Sequence, residues 1–112
     1  MKKPALRILL GGASSLGPGK VALLEEIGRH GSISAAARAM EMSYRRAWLL
    51  VESMNNSFTQ PLVATATGGK RGGGAQLTEF GREVLRRYRD MERKAHQAIQ
   101  DELDRFAELM RE

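Results

Sequence analysis

Apolar and polar positions alternate along this chain in two rhythms, and each rhythm predicts a different element. From Pro18 the stretch PGKVALLEEIGRH sets Val21, Leu24 and Ile27 three apart with Leu23 beside them, the buried stripe of a helix. Proline suits a first helical turn, and Gly31 offers the left-handed stop. In SISAAARAM, alanines favour helix and Ser34 is placed to cap the amide of Ala37. After Glu41 and Met42, Ser43 is placed to cap a third helix, YRRAWLLVESMNNSF, with Ala47, Leu50, Val51 and Met54 at spacings of three and four. Asn55, Asn56 and Pro61 close it. The rhythm then shortens: LVATAT, residues 62–67, is β-branched and partly alternating, so strand-like, and AQL returns as its partner beyond a glycine-rich loop. Thr78 is placed to cap a last helix, with Glu79 favourable at its positive end. At the start of the chain, ALRILL reads as a short strand and GGASSLGPG as a loop.

The predicted order is strand, helix, helix, tight turn, helix, hairpin, long helix. Two short helices about a tight turn, followed by a two-stranded hairpin, make a winged helix-turn-helix: a mainly α fold with a small β-hairpin and a long C-terminal dimerisation helix. One domain spans 1–112, divided into strand and loop (1–17), helix-turn-helix and wing (18–81) and C-terminal helix (78–111). Ile33, Ala36, Ala39 and Met40 can pack the first helix of the motif, and Ala47, Leu50 and Val51 the second. That leaves Ser43, Tyr44, Arg45 and Arg46 at the free N-terminal end of the second helix, the end a recognition helix presents to the major groove. Arginine there can bond both acceptors of a guanine edge or grip a phosphate, and Tyr44 can reach a phosphate or a thymine methyl. Such turns often carry glycine where this chain has Glu41. Trp48, one turn beyond Tyr44, is expected to anchor the recognition helix on a neighbouring helix.

The glycine loop TGGKRGGG becomes the wing tip. Its glycines remove side-chain bulk that would hold the backbone off a sugar-phosphate surface, and Lys70 and Arg71 put charge at the apex. A flexible loop that merely tolerates glycine is the alternative.

Charge supports a polyanionic partner. The chain carries a formal net charge of +5, with fourteen basic and six acidic side chains in residues 1–89 against four and seven in residues 90–112. There are no cysteines, which excludes disulfides and thiolate sites and is compatible with the cytoplasm. No apolar run approaches the roughly 20 residues of a spanning helix, so no membrane is expected. MKKPALRILLGGASSLG superficially resembles a signal peptide, but Arg7 interrupts the short apolar run and an opening strand is the better reading. A phosphate-binding loop fails too: counting back from Gly19-Lys20, its first glycine falls on Ser14, and Val21 takes the place of the metal-binding hydroxyl. His30 and His96 are far apart, Glu25 and Glu26 read as solvated surface charge, and no acidic cluster has metal-site spacing. No enzyme and no cofactor are expected.

The last helix carries Val84, Tyr88, Met91, Ala95, Ile99, Leu103, Phe106 and Met110 at steps of three and four, near a heptad with one slip. In so small a chain its far half would overhang the domain. Pairing with a second copy through Tyr88, Met91, Ala95, Ile99, Leu103 and Phe106 would cover it; packing against the first helix is the alternative. Arg86, Arg87 and Arg89 could face DNA or pair with glutamates.

Taken together, GSISAAARAMEMSYRRAW, MNN at 54–56 and PLVATATGGKRGGGAQLTEFG at 61–81 resemble the N-terminal DNA-binding domain of ModE-type molybdate-responsive transcription regulators. With the preceding LLEEIGRH the likeness covers about half to two-thirds of the chain; SISAAARAM alone is also similar to LysR-type regulators. The resemblance implies a winged-helix homodimer on a palindromic operator of double-stranded DNA, regulating molybdate-uptake genes. It also implies DNA contacts from Ser43 to Arg46 and from Lys70 and Arg71. Full-length members carry a further C-terminal pair of small β-barrel domains that bind molybdate, and none lies within these 112 residues. The expectation is a stand-alone form, one working with a separate molybdate-binding protein, or one with a different effector. A nonspecific architectural DNA-binding protein and a helix-mediated protein-interaction module are the rival readings.

Overall fold

The first helix, α1 (Pro18–His30), is set by its ends as much as by its apolar stripe. Proline occupies its first turn, and Gly31 stops it at φ 72°, with the Gly31 N–H donating to the Ile27 carbonyl at 2.8 Å. Among the residues described in this computed structural model, 16–66 and 74–111, four further helices and one hairpin follow. The predicted strand at 5–10 and the wing tip, with Lys70 and Arg71, lie outside the described residues.

The second helix, α2 (Ile33–Ala39), starts two residues earlier than the expected cap would place it. Ser32, not Ser34, caps it, accepting from the Ala35 amide at 2.9 Å, while Ser34 Oγ accepts from Arg38 at 3.1 Å. The helix buries Ala36 and Ala37 and leaves Ala39, expected to pack, exposed. Glu41 then takes up φ 55°, the left-handed conformation for which such turns use glycine. Helix α3 (Tyr44–Ser57) follows, capped by Ser43, whose Oγ accepts from the Arg46 amide at 3.0 Å. It runs through Asn55 and Asn56, which therefore do not end it.

Strands β1 (Val63–Ala66) and β2 (Gly74–Leu77) pair antiparallel with Val63 opposite Leu77 and Ala66 opposite Gly74. Asn55 ties this hairpin to α3: its Oδ1 accepts from the amides of Leu62 (2.8 Å) and Val63 (3.1 Å), and its Nδ2 donates to the Val63 carbonyl (3.1 Å). Ala75 N–H donates to the Gly31 carbonyl at 3.0 Å, fastening the other strand to the end of α1. One core fills the space between these elements, built from Val21, Leu24 and Ile27 of α1, Val51 and Met54 of α3, and Leu77 of the hairpin.

Helix α4 (Glu79–Ala98) is capped by Thr78, which accepts from the Gly81 amide at 2.8 Å. Two corrections concern this region. Tyr88, expected at a dimer seam, is 1% exposed and belongs to the chain's own core, where α4 crosses α1. The single helix expected over 78–111 breaks at Ile99 (φ −116°, ψ 16°), and α5 (Gln100–Ala107) continues beyond it. Beyond Tyr88 no side chain of α4 is buried, and the ion pairs of Asp90 with Arg93 and Lys94 lie within the helix itself. Ile99 serves both segments: its amide donates to the Ala95 carbonyl at 3.2 Å, and its carbonyl accepts from the Leu103 amide at 2.9 Å.

Candidate nucleic-acid interface

Ala47, Val51 and Met54 bury one side of α3. The opposite side and the N-terminal end are therefore turned outward, and Tyr44 is 55% exposed with Arg45 and Arg46 exposed beside it. The structure brings Ser43, Tyr44, Arg45 and Arg46 together at one helix end. Trp48, expected to anchor this helix on a neighbour, is 41% exposed and lies outside the buried core, to which α3 contributes Ala47, Val51 and Met54.

The electrostatic pattern separates this end from most of α4. On α4, Arg86 and Arg87 both pair with Glu83, the latter at 2.6 Å, and Arg93 and Lys94 share Asp90, the lysine at 3.0 Å. Arg87 holds the Glu83 carboxyl below the ordinary carboxylate value, with Arg86 adding to it, and Lys94 and then Arg93 do the same for Asp90. Arg89 reaches across to α1, where its guanidinium meets both oxygens of Glu25, and also pairs with Glu92 at 2.7 Å. The Glu25 contact, above all, holds Arg89 firmly in its charged form. Glu25 is thus an inter-helix tie rather than solvated charge, and Glu26 pairs with Arg29 at 2.8 Å. Arg45 and Arg46, by contrast, have no ion pair among the described residues. Cations left without carboxylates at a capped, outward helix end are available to phosphates or base edges.

Among the described residues there is no group of three or more His, Asp or Glu able to hold a metal, and no buried side-chain polar atom lacks a partner. No helix there is long and apolar enough to cross a membrane.

The feature that residue-by-residue reading missed is Asn55. It reads as a helix terminator, yet it fixes the base of the wing to the recognition helix. Only its place in the MNN signature hinted at a role.

Residues 19–82 match the family described as bacterial regulatory helix-turn-helix protein, lysR family. The chain belongs to that family. This LysR-type domain is also similar to proteins named ModE and MopB. It is 40% identical over 99 residues to the molybdenum transport protein ModE of Azotobacter vinelandii, covering 88% of this chain and 35% of that protein. To the molybdenum-pterin-binding protein MopB of Rhodobacter capsulatus it is 52% identical over 73 residues, 65% of this chain and 27% of that one. To the DNA-binding transcriptional dual regulator ModE of Escherichia coli it is 38% identical over 88 residues, 76% and 34%. The chain thus spans about a third of the length of these relatives. Among solved structures, ArgP from Mycobacterium tuberculosis superposes with a TM-score of 0.54 at 20% identity, over 75% of this chain and 30% of that one, which shows the shared fold. The resemblance to ModE-type regulators holds, and the family to which the chain belongs is one of regulatory helix-turn-helix proteins.

Proposed function

We propose that this chain is a sequence-specific, cytoplasmic transcriptional regulator that binds a palindromic operator as a homodimer and controls molybdate transport or other molybdenum-related genes. The observation that carries the proposal is the Ser43-capped end of α3, where Tyr44, Arg45 and Arg46 stand exposed without carboxylate partners while most cations of α4 are paired. In this reading α3 enters the major groove, Ser43 and Tyr44 steady it on the backbone, and Arg45 and Arg46 meet base edges or phosphates. The wing would reach along the duplex so that Lys70 and Arg71 meet phosphates. The molybdenum connection is supported by the names of the relatives. A separate molybdate-binding protein would be a partner in a response to molybdate.

The test is binding selection from a random DNA pool, followed by affinity measurements on the recovered site. The expected product is an inverted repeat whose half-sites lie about one helical turn, roughly 34 Å, apart. Arg45→Ala should then cost about 1–3 kcal/mol on that site and less on random duplex. Equal losses on both would make Arg45 a phosphate clamp, and a pool with no enriched sequence would leave a nonspecific architectural binder.

A further inference from the structure

The outward face of α3 carries more than cations. With Ala47, Val51 and Met54 buried, the line farthest from the core runs through Arg45, Leu49 and Glu52, at steps of four and three. Leu49 is 51% exposed, and Trp48 stands exposed beside it. Neither belongs to the core or to the apolar residues packed against it. Two adjacent large apolar side chains therefore occupy the turn that directly follows the unpaired arginines.

Glu52 indicates where this line points. It is exposed and has no cation partner among the described residues. A carboxylate laid against phosphates would be repelled, whereas at the base edges it can accept from a cytosine amino group. Of the groups that base pairs present in the major groove, the thymine 5-methyl is the apolar one. At about 1.5 Å per residue, Leu49 lies about 6 Å beyond Arg45 along the helix, which is roughly two base-pair steps.

We propose that Leu49, flanked by Trp48, reads a thymine methyl in the major groove about two base pairs from the position met by Arg45. This assignment deepens the DNA-binding reading above and rests on it. Each half-site would then carry a thymine at a fixed distance from the base under Arg45.

The test uses the whole chain and the duplex recovered from the random pool. Each thymine is replaced in turn by deoxyuridine, which removes the methyl and nothing else, and affinity is read by fluorescence anisotropy. One position per half-site should lose about fourfold in affinity, the value of one buried carbon. Leu49→Ala should abolish that sensitivity, and Leu49→Met should retain most of it. Thermal melting checks that both variants fold, as expected for a side chain outside the core. The assignment is overturned if no thymine is methyl-sensitive, or if Leu49→Ala leaves the sensitivity unchanged. It is also overturned if Leu49→Ala weakens self-association while base discrimination stays intact. Those results would leave the DNA-binding reading standing, whereas a pool with no enriched sequence would remove both.

Discussion

Gly81 shows how one residue can hold a junction. A Cβ at this position would sit 2.1 Å from the Leu62 carbonyl oxygen and 2.9 Å from its carbon, so the start of α4 closes on the start of the hairpin with no room for a side chain. The blocking atoms are backbone and cannot rotate aside. Gly81→Ala should therefore destabilise by about 3 kcal/mol or more, read as a fall in melting temperature of more than about 10 °C. A variant melting near wild type would mean that the junction is looser than drawn. Glycine in LTEFG was recognisable as part of a family signature, but its reason was not, because the close approach joins residues nineteen apart in the chain. Ser43, Thr78 and Gly31 were legible for the opposite reason: the bond by which each starts or stops its helix reaches only three or four residues. The cap of α2 was misplaced by two residues because serines stand at both 32 and 34, and local spacing cannot choose between them.

At the scale of elements, the recognition helix and the wing act as one body through Asn55. Removing that side chain leaves the amides of Leu62 and Val63 without their acceptor and frees the Val63 carbonyl. Asn55→Ala should cost about 2–3 kcal/mol in urea unfolding, and Asn55→Asp, which keeps the oxygen that accepts from both amides and loses only the donor, should cost less. Equal loss from the two variants would assign the effect to the missing donor instead. Helix α4 carries a second kind of stabilisation, with Glu83 and Asp90 held below their ordinary values by flanking cations. Depressed carboxylates contribute stability that is complete above the unfolded-state value, 4.5 for Glu83, and is lost as pH falls through the folded one. Melting temperature should therefore fall on acidification below that point. The fall should be shallower in Glu83→Gln, and the difference between the two proteins should shrink with added salt, since the pairs lie at the surface. A salt-independent difference would point to a buried contact. Arg89, whose pKa is raised, keeps its charge throughout that range and adds no slope of its own.

For the whole molecule, the open question of function is what covers the far end. Met91 and Leu109 are exposed there and Phe106 is 57% exposed, while Tyr88 has been withdrawn into the core. A second copy related by a two-fold axis would cover those side chains and set two α3 helices on successive turns of DNA. Phe106→Asp should convert a dimer to a monomer in sedimentation equilibrium and weaken binding to the full inverted repeat more than to a half-site. A wild-type chain that sediments as a monomer at every concentration tested would remove this seam from the interface. The break at Ile99 was not legible beforehand. The apolar spacing continues through it without proline or glycine, and a periodicity records which residues share a face, not whether anything holds that face straight.

What the sequence determined by itself is what is decided within a turn or two of chain: the ends of α1, the starts of α3 and α4, the buried stripes of α1 and α3, the hairpin strands, the exposed arginines after Ser43, and the signature of the family. These depend on bonds and spacings between near neighbours, which order along the chain specifies directly. Only the tertiary structure decided that Tyr88 is core, that Trp48 is surface, that Glu25 meets Arg89 across sixty-four residues, and that Asn55 holds the wing. Each of those outcomes depends on which elements lie side by side, and burial and charge pairing are settled there rather than by position in the chain.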